Sequence, residues 1–225
     1  MAIDLNALRV HVHRELADHD RVVTASSVAV QFGCTREEAQ AALVWLHDAH
    51  LVVLDHDRQS LLMAHPWATA FMGFVVASEH QKWWGGCAWD SFAIPSLVGA
   101  RCLVATHCAG CGLPLALDVD PDRPPPPGGA GDLVAHFLVP VRGIWDDVVR
   151  TCSNQRLFCN HSHVDDWLAA SGSTKGAVLD LTTLWRLATG WYAGRLRQDY
   201  RRRTPEQAAA FFADLGLEGD FWRTG

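Results

Sequence analysis

The sequence lacks any apolar run of the roughly 20 residues that a bilayer span requires. Its opening residues, Met1-Ala2-Ile3-Asp4-Leu5-Asn6, carry no basic segment leading into an apolar one. These two absences predict a cytoplasmic protein with no membrane partner. Positive charge is not in excess either: 19 Lys and Arg stand against 25 Asp and Glu, a formal net charge of −6. That argues against nucleic acid as the main partner. There is no Gly-rich loop ending in Lys to cradle phosphates, and no internal repeat, so neither a P-loop nor a repeat scaffold is expected. What the chain does have is 225 residues, 49% of them hydrophobic, with ten Trp and seven Cys. The length fits one medium domain or a small domain fused to a larger one. The tryptophans suggest an aromatic core or deep apolar pockets. An odd set of cysteines in a reducing compartment reads as buried, metal-binding or catalytic rather than disulfide-bonded.

The pattern predicts an α+β fold: a winged-helix-like helical region over 1–64, then a mixed or antiparallel sheet domain with flanking helices over 65–225. Leu5, Leu8, Val12 and Leu16 recur at helical spacing. Thr24 caps a short helix through Val30 that Gly33 ends, and Thr35 with Glu38 forms a capping box for the next. Leu51–Leu54, a polar turn and Ser60–Met63 read as a hairpin. The candidate groove-reading helix carries Glu37, Glu38 and Asp48 against Arg36 alone, which argues against DNA binding. Further on, strands are expected at 73–77, 101–106, 113–119 and 133–139. Helices are expected at 91–97, 144–149, 164–170, 179–196 and 205–215. The run 120–129 is a proline-dense loop, and Arg201-Arg202-Arg203 reads as a solvated face.

The chemistry concentrates in Trp83-Trp84-Gly85-Gly86-Cys87-Ala88-Trp89-Asp90-Ser91. Cys87 and Asp90 are about one helical turn apart, so both can reach one side of a short helix. A plain buried cysteine is the ordinary reading of Cys87. Gly85 and Gly86 point further, since paired glycines allow an unusual backbone path and close approach of a ligand. Asp90 among tryptophans pays a desolvation cost that favours the neutral acid, which suits a proton donor; its plain reading is a helix cap. Cys152, in a polar turn, is a second candidate thiol. Cys108-Ala109-Gly110-Cys111 is a C-x-x-C knuckle. With Cys159, His161 and His163 it has the donors of a tetrahedral zinc site. A zinc ribbon usually shows two knuckles, however, so His161 and His163 read as loop histidines. A redox C-x-x-C would open a helix, and Gly112-Leu113-Pro114 does not continue one.

These motifs resemble those of the organomercurial (alkylmercury) lyases. The resemblance runs through Met63-Ala64-His65-Pro66, Gly86-Cys87-Ala88-Trp89-Asp90-Ser91, Ile94-Pro95, Thr106-His107-Cys108, Thr151-Cys152-Ser153-Asn154, Phe158 and Asp165-Asp166-Trp167. It covers roughly residues 60 to 195. It implies protonolysis of a carbon–mercury bond to a hydrocarbon and Hg(II), with Cys87 and Cys152 as thiolates and Asp90 as proton donor. All three would meet mercury as substrate and product. It further implies a structural Cys108 and no required cofactor, with cellular thiols or a mercuric reductase accepting Hg(II). Thiolates are soft ligands for a soft metal, so the chemistry is sensible. Cys111 and Cys159 depart from the family pattern as extra thiols, and Ser153 stands where family members often carry another cysteine or Asp-Asn. The alternatives are a Hg/Cu-binding protein or regulator on the same fold, and a lyase acting on a non-mercury substrate.

Overall fold

The computed structural model describes residues 3–19, 21–126 and 131–224. The last part of the expected proline-rich loop, 127–129, lies outside them. Three helices come first: α1 (Leu5–His19), α2 (Ala25–Phe32) and α3 (Arg36–Asp48). Their ends are set locally. Thr24 and Thr35 each close a capping box, the second with Glu38, and Gly33 ends α2 in the left-handed region at φ 63°. Leu8, Val12, Leu16, Leu43 and Leu46 turn inward from this region and are buried.

The chain then builds a seven-stranded sheet in the order β1-β2-β3-β5-β4-β6-β7, paired antiparallel throughout. Its strands are β1 (Val53–Leu54), β2 (Leu61–Ala64), β3 (Trp67–Ala68), β4 (Phe74–Ala77), β5 (Lys82–Gly85), β6 (Cys102–His107) and β7 (Pro114–Val119). The expected hairpin is β1–β2, and β2 pairs onward with β3 across the His65–Pro66 turn. Strand β5 went unread in the sequence. Its alternation does place Trp83 inward and Trp84 outward, as a half-buried strand requires.

A second, three-stranded antiparallel sheet has the order β10-β8-β9, from β8 (Val134–Phe137), β9 (Gln155–Phe158) and β10 (Ala177–Asp180). Helix α4 (Ala88–Val98) runs between the first sheet and α7 (Leu181–Tyr192). Residues 88–95 of α4 are all buried, so the helix is enclosed on every side rather than amphipathic. Helices α5 (Val148–Ser153), α6 (His161–Ser171) and α8 (Pro205–Asp214) complete the fold, which is α+β. Several expected boundaries move. Helix α4 starts three residues before Ser91, and α5 carries Cys152 itself instead of leading to it. Strand β10 takes the start of the expected 179–196 helix. His161 and His163 belong to the first turn of α6, not a loop, because Asn160 caps that helix by accepting from the His163 N–H at 3.0 Å. Arg203 is half-buried and donates to the carbonyls of Trp191 (2.9 Å) and Gly190 (2.8 Å), so the arginine run is tied down at this end. Among the described residues no helix is long and apolar enough to cross a membrane.

Candidate active site

Cys87 is the N-cap of α4: its sulfur accepts the Asp90 backbone N–H at 3.5 Å, in the place usually held by a Ser or Asp oxygen. One turn in, the Asp90 side chain returns to the same point, so the local Cys-x-x-Asp spacing builds half of the site. Gly85 and Gly86 make this possible by leaving space. A Cβ on Gly85 would collide with Ser91 Oγ, and one on Gly86 with Asp90 Oδ2. Neither glycine takes a positive φ. The pair therefore serves the site's own side chains, and the unusual backbone path expected of it is absent.

The other half comes from distant elements. Cys152, on the last turn of α5, brings its sulfur to 4.0 Å from Asp90 Oδ2, and Cys87 Sγ lies 3.3 Å from that oxygen. The Cys87 thiol also points at Gln155 Oε1 at 2.9 Å, from the start of β9. His65 Nδ1 is 3.1 Å from Asp90 Oδ2, and the Tyr192 hydroxyl donates to Oδ1. Asp90 thus faces four side chains while being only 1% exposed. His65, Asp90 and Cys152 present ligand atoms that all lie within 4.8 Å of one another; Cys87 is outside that trio and joins it through the shared carboxylate oxygen.

Burial sets the protonation of the thiols. It pushes the Cys87 thiol well above its ordinary value, helped by contact with Cys152 and by the Asp90 carboxylate. At Cys152 the hydrogen bond with Cys87 pulls the other way, but burial and Asp90 outweigh it and the thiol again lies raised. Tyr192 is raised well above its usual value by burial and then by Asp90, so its hydroxyl stays a donor. At rest, then, this site holds proton-bearing sulfurs beside a hydrogen-bonded carboxyl group.

These groups line a cavity of about 400 Å³. Trp89 and Trp191 supply apolar wall, their rings 5.4 Å apart. Trp145 sits on another side, stacked on His50 at 4.3 Å, with the Arg202 guanidinium 5.5 Å above its ring. Arg195 also lines the cavity; it is 6% exposed and lies over the Tyr192 ring at 4.9 Å. The site is therefore a mostly apolar pocket with a few convergent polar groups, the form small-molecule sites take.

All three residues singled out in the sequence, Cys87, Asp90 and Cys152, meet here. Cys108 does not; it lies with Cys111, Cys159 and His163 in a separate group. Gln155, His65 and Tyr192 were missed as site residues. His65 stood in a quoted motif and Gln155 only three residues past Cys152, but nothing local marks Tyr192, 102 residues from its partner.

Comparison with known proteins bears on the fold and the family. The solved structure titled the mercury-bound form of MerB2 superposes with a TM-score of 0.62, covering 85% of this chain and 97% of that one. At 17% identity the likeness is one of fold. The sequence model of the alkylmercury lyases matches residues 68–193, more than half of the chain and the span that holds Cys87, Asp90, Cys152 and Gln155. With that match spanning both halves of the pocket, the chain belongs to the alkylmercury lyase family, enzymes that cleave carbon–mercury bonds.

Proposed function

We propose that this protein cleaves organomercurials by protonolysis, with Cys87 and Cys152 as the sulfurs that take mercury and Asp90 as the group that moves the proton. One observation carries the reading: two buried thiols address the same carboxylate oxygen, at 3.3 and 4.0 Å, on the wall of an apolar cavity. A substrate R–Hg–X and two thiols give R–H, HX and Hg(II) held by two thiolates. Mercury stays divalent throughout, and the carbon–mercury pair becomes the carbon–hydrogen bond.

The order of events follows from the protonation of the site. As mercury replaces the proton on Cys87, that proton has an acceptor at Asp90 Oδ2. Cys152, whose sulfur also lies against that oxygen, then displaces X from mercury, its own proton leaving as HX; the second thiolate raises electron density on the metal and weakens its bond to carbon. Asp90 then returns the proton to carbon. Tyr192 holds the second carboxyl oxygen and His65 flanks the first, which fixes the acid's direction. The Trp89–Trp191 wall takes the organic group. External thiols or a mercuric reductase remove Hg(II), and the protein needs no cofactor of its own.

A soft-metal binding protein on this fold would use the thiols without needing Asp90, so the hydrogen bonds converging on Asp90 favour turnover. We also assign residues 1–64 as a winged-helix-like region that here covers the pocket through His50 instead of reading DNA, and 65–225 as the catalytic part of a cytoplasmic enzyme. The test is hydrocarbon release: phenylmercury or methylmercury with excess thiol should yield benzene or methane by gas chromatography. Stoichiometric mercury binding without release would mean a binding protein or a different substrate.

A further inference from the structure

Cys111 and Cys159, the two thiols that depart from the family pattern, come together with Cys108 and His163. Cys108 directly follows β6 and Cys111 lies in the turn before β7; Cys159 directly follows β9, and His163 is in the first turn of α6. Their four ligand atoms all lie within 4.8 Å of one another. Two edges of the group are resolved individually: Cys111 Sγ to Cys159 Sγ is 3.8 Å, and Cys108 Sγ to His163 Nδ1 is 3.4 Å. A tetrahedral zinc ion, with bonds of about 2.3 Å to sulfur and about 2.0 Å to nitrogen, sets its ligands about 3.8 Å apart for two sulfurs and about 3.5 Å for sulfur and nitrogen. We propose that Cys108, Cys111, Cys159 and His163 bind one Zn(II) ion in a closed, tetrahedral, structural site.

The surrounding backbone is shaped for this. The Gly112 N–H closes a turn on the Cys108 carbonyl at 2.8 Å, and the Cys108 N–H pairs with Leu113 O at 2.8 Å. Gly112 has φ +74°, which a side chain would strain. Gly110, inside the knuckle, packs so closely on His163 that a Cβ would lie 2.6 Å from its carbonyl oxygen. Only glycine lets the knuckle reach α6. The Cys159 backbone N–H points at Cys108 Sγ at 3.4 Å, the outer-shell bond that stabilises a metal thiolate. Protein atoms fill all four positions, which distinguishes a structural from a catalytic zinc. An imidazole among three tetrahedrally placed thiolates suits Zn(II) better than a two-coordinate soft ion. His161 takes no part. The ion would join the β6–β7 turn of the large sheet to the end of β9 in the small one.

The test is metal content. Chain purified under reducing conditions without chelator, and supplied with zinc chloride, should carry close to one zinc per chain by elemental analysis. Cobalt(II) exchange should give the visible bands of a tetrahedral cobalt–thiolate centre. Cys111→Ser and His163→Ala should each lose most of the zinc and those bands. The Cys87→Ala/Cys152→Ala double variant should keep both, whether or not the chain cleaves organomercurials. Should the knuckle variants fail to fold, chelation of the parent chain gives the same answer: Cys111 should gain reactivity toward a thiol reagent and lose it again with zinc chloride. Zinc well below one per chain without cobalt bands would overturn the proposal. So would zinc that leaves with Cys87 and Cys152.

Discussion

Two groups of thiols lie on either side of one short strand, and they differ in what faces the sulfur. Gln155 opens β9 in the cavity, and Cys159 follows its other end in the knuckle. In the cavity, Cys87 and Cys152 are buried and both face the Asp90 carboxylate, which can accept a proton, while Cys87 also donates a hydrogen bond to the Gln155 amide oxygen. In the knuckle, Cys108, Cys111 and Cys159 face each other, a backbone N–H and an imidazole, and Cys111 is exposed. A thiol beside a proton acceptor can exchange its proton for a metal and later regain it. A thiol in a complete ligand set holds a metal and does nothing else. Residue type is the same in both places; the neighbours decide between turnover and support.

The largest effect that would break this comparison is loss of either cavity sulfur. Cys87→Ala or Cys152→Ala should reduce hydrocarbon release to background while circular dichroism and thermal unfolding stay close to the parent. Substantial release from either variant would remove the assigned pair. Asp90→Asn comes next. It should still capture organomercurial but release hydrocarbon about 10²–10⁴-fold more slowly, the usual contribution of a positioned acid. It should also expose the raised thiol of Cys87. Without the internal acceptor that thiol must lose its proton to solvent, and below its raised value the thiolate fraction grows with pH. Capture by Asp90→Asn should therefore accelerate from pH 7 to pH 9, by up to about tenfold per unit, with the parent's dependence flatter. A variant that keeps its rate but fails to bind would make Asp90 a positioning residue.

What could be read in the sequence was what is local. The cap at Thr24 and the capping box of Thr35 with Glu38 involve residues three apart, and so does Cys87 with Asp90. Strand β6, six residues long with alternating burial, was legible for the same reason. Strand β9 was missed because four residues between a cysteine helix and a histidine helix show too little periodicity. Gly85 and Gly86 were recognised as tight but given the wrong partner, since nothing in the sequence says that Ser91 and Asp90 fold back onto them. Gln155 stands 68 residues from the thiol it contacts. The knuckle shows the same limit. Cys-x-x-Cys was visible, but His163 could be chosen over His161 only once Asn160 had set the first turn of α6.

Gln155 sharpens the comparison at the point where the two groups share a strand. Gln155→Leu keeps the bulk and removes one acceptor from Cys87. A hydrogen bond of this kind contributes about 0.5–1.5 kcal/mol, so turnover should fall by no more than about tenfold. Because the Asp90 path survives, the pH dependence should stay that of the parent. An alkaline rise like that of Asp90→Asn would mean that Gln155 is needed to aim the Cys87 thiol at Asp90, which would make it a positioning residue.

The smallest expected effect on turnover is that of Cys111→Ser. If the knuckle is only support, its loss frees the far end of β9 while Gln155 remains paired with β8 through the Phe137 register. Cys152 is likewise held through its own helix, where Asp147 caps the Arg150 N–H at 2.9 Å. The cavity geometry should therefore survive, with hydrocarbon release within about threefold of the parent (under about 1 kcal/mol). The melting temperature should drop, since a structural metal contributes folding free energy. The two readouts must separate for the comparison to stand. A large loss of turnover at unchanged stability would mean that Cys111 passes mercury to or from the cavity. Both thiol groups would then belong to one catalytic path.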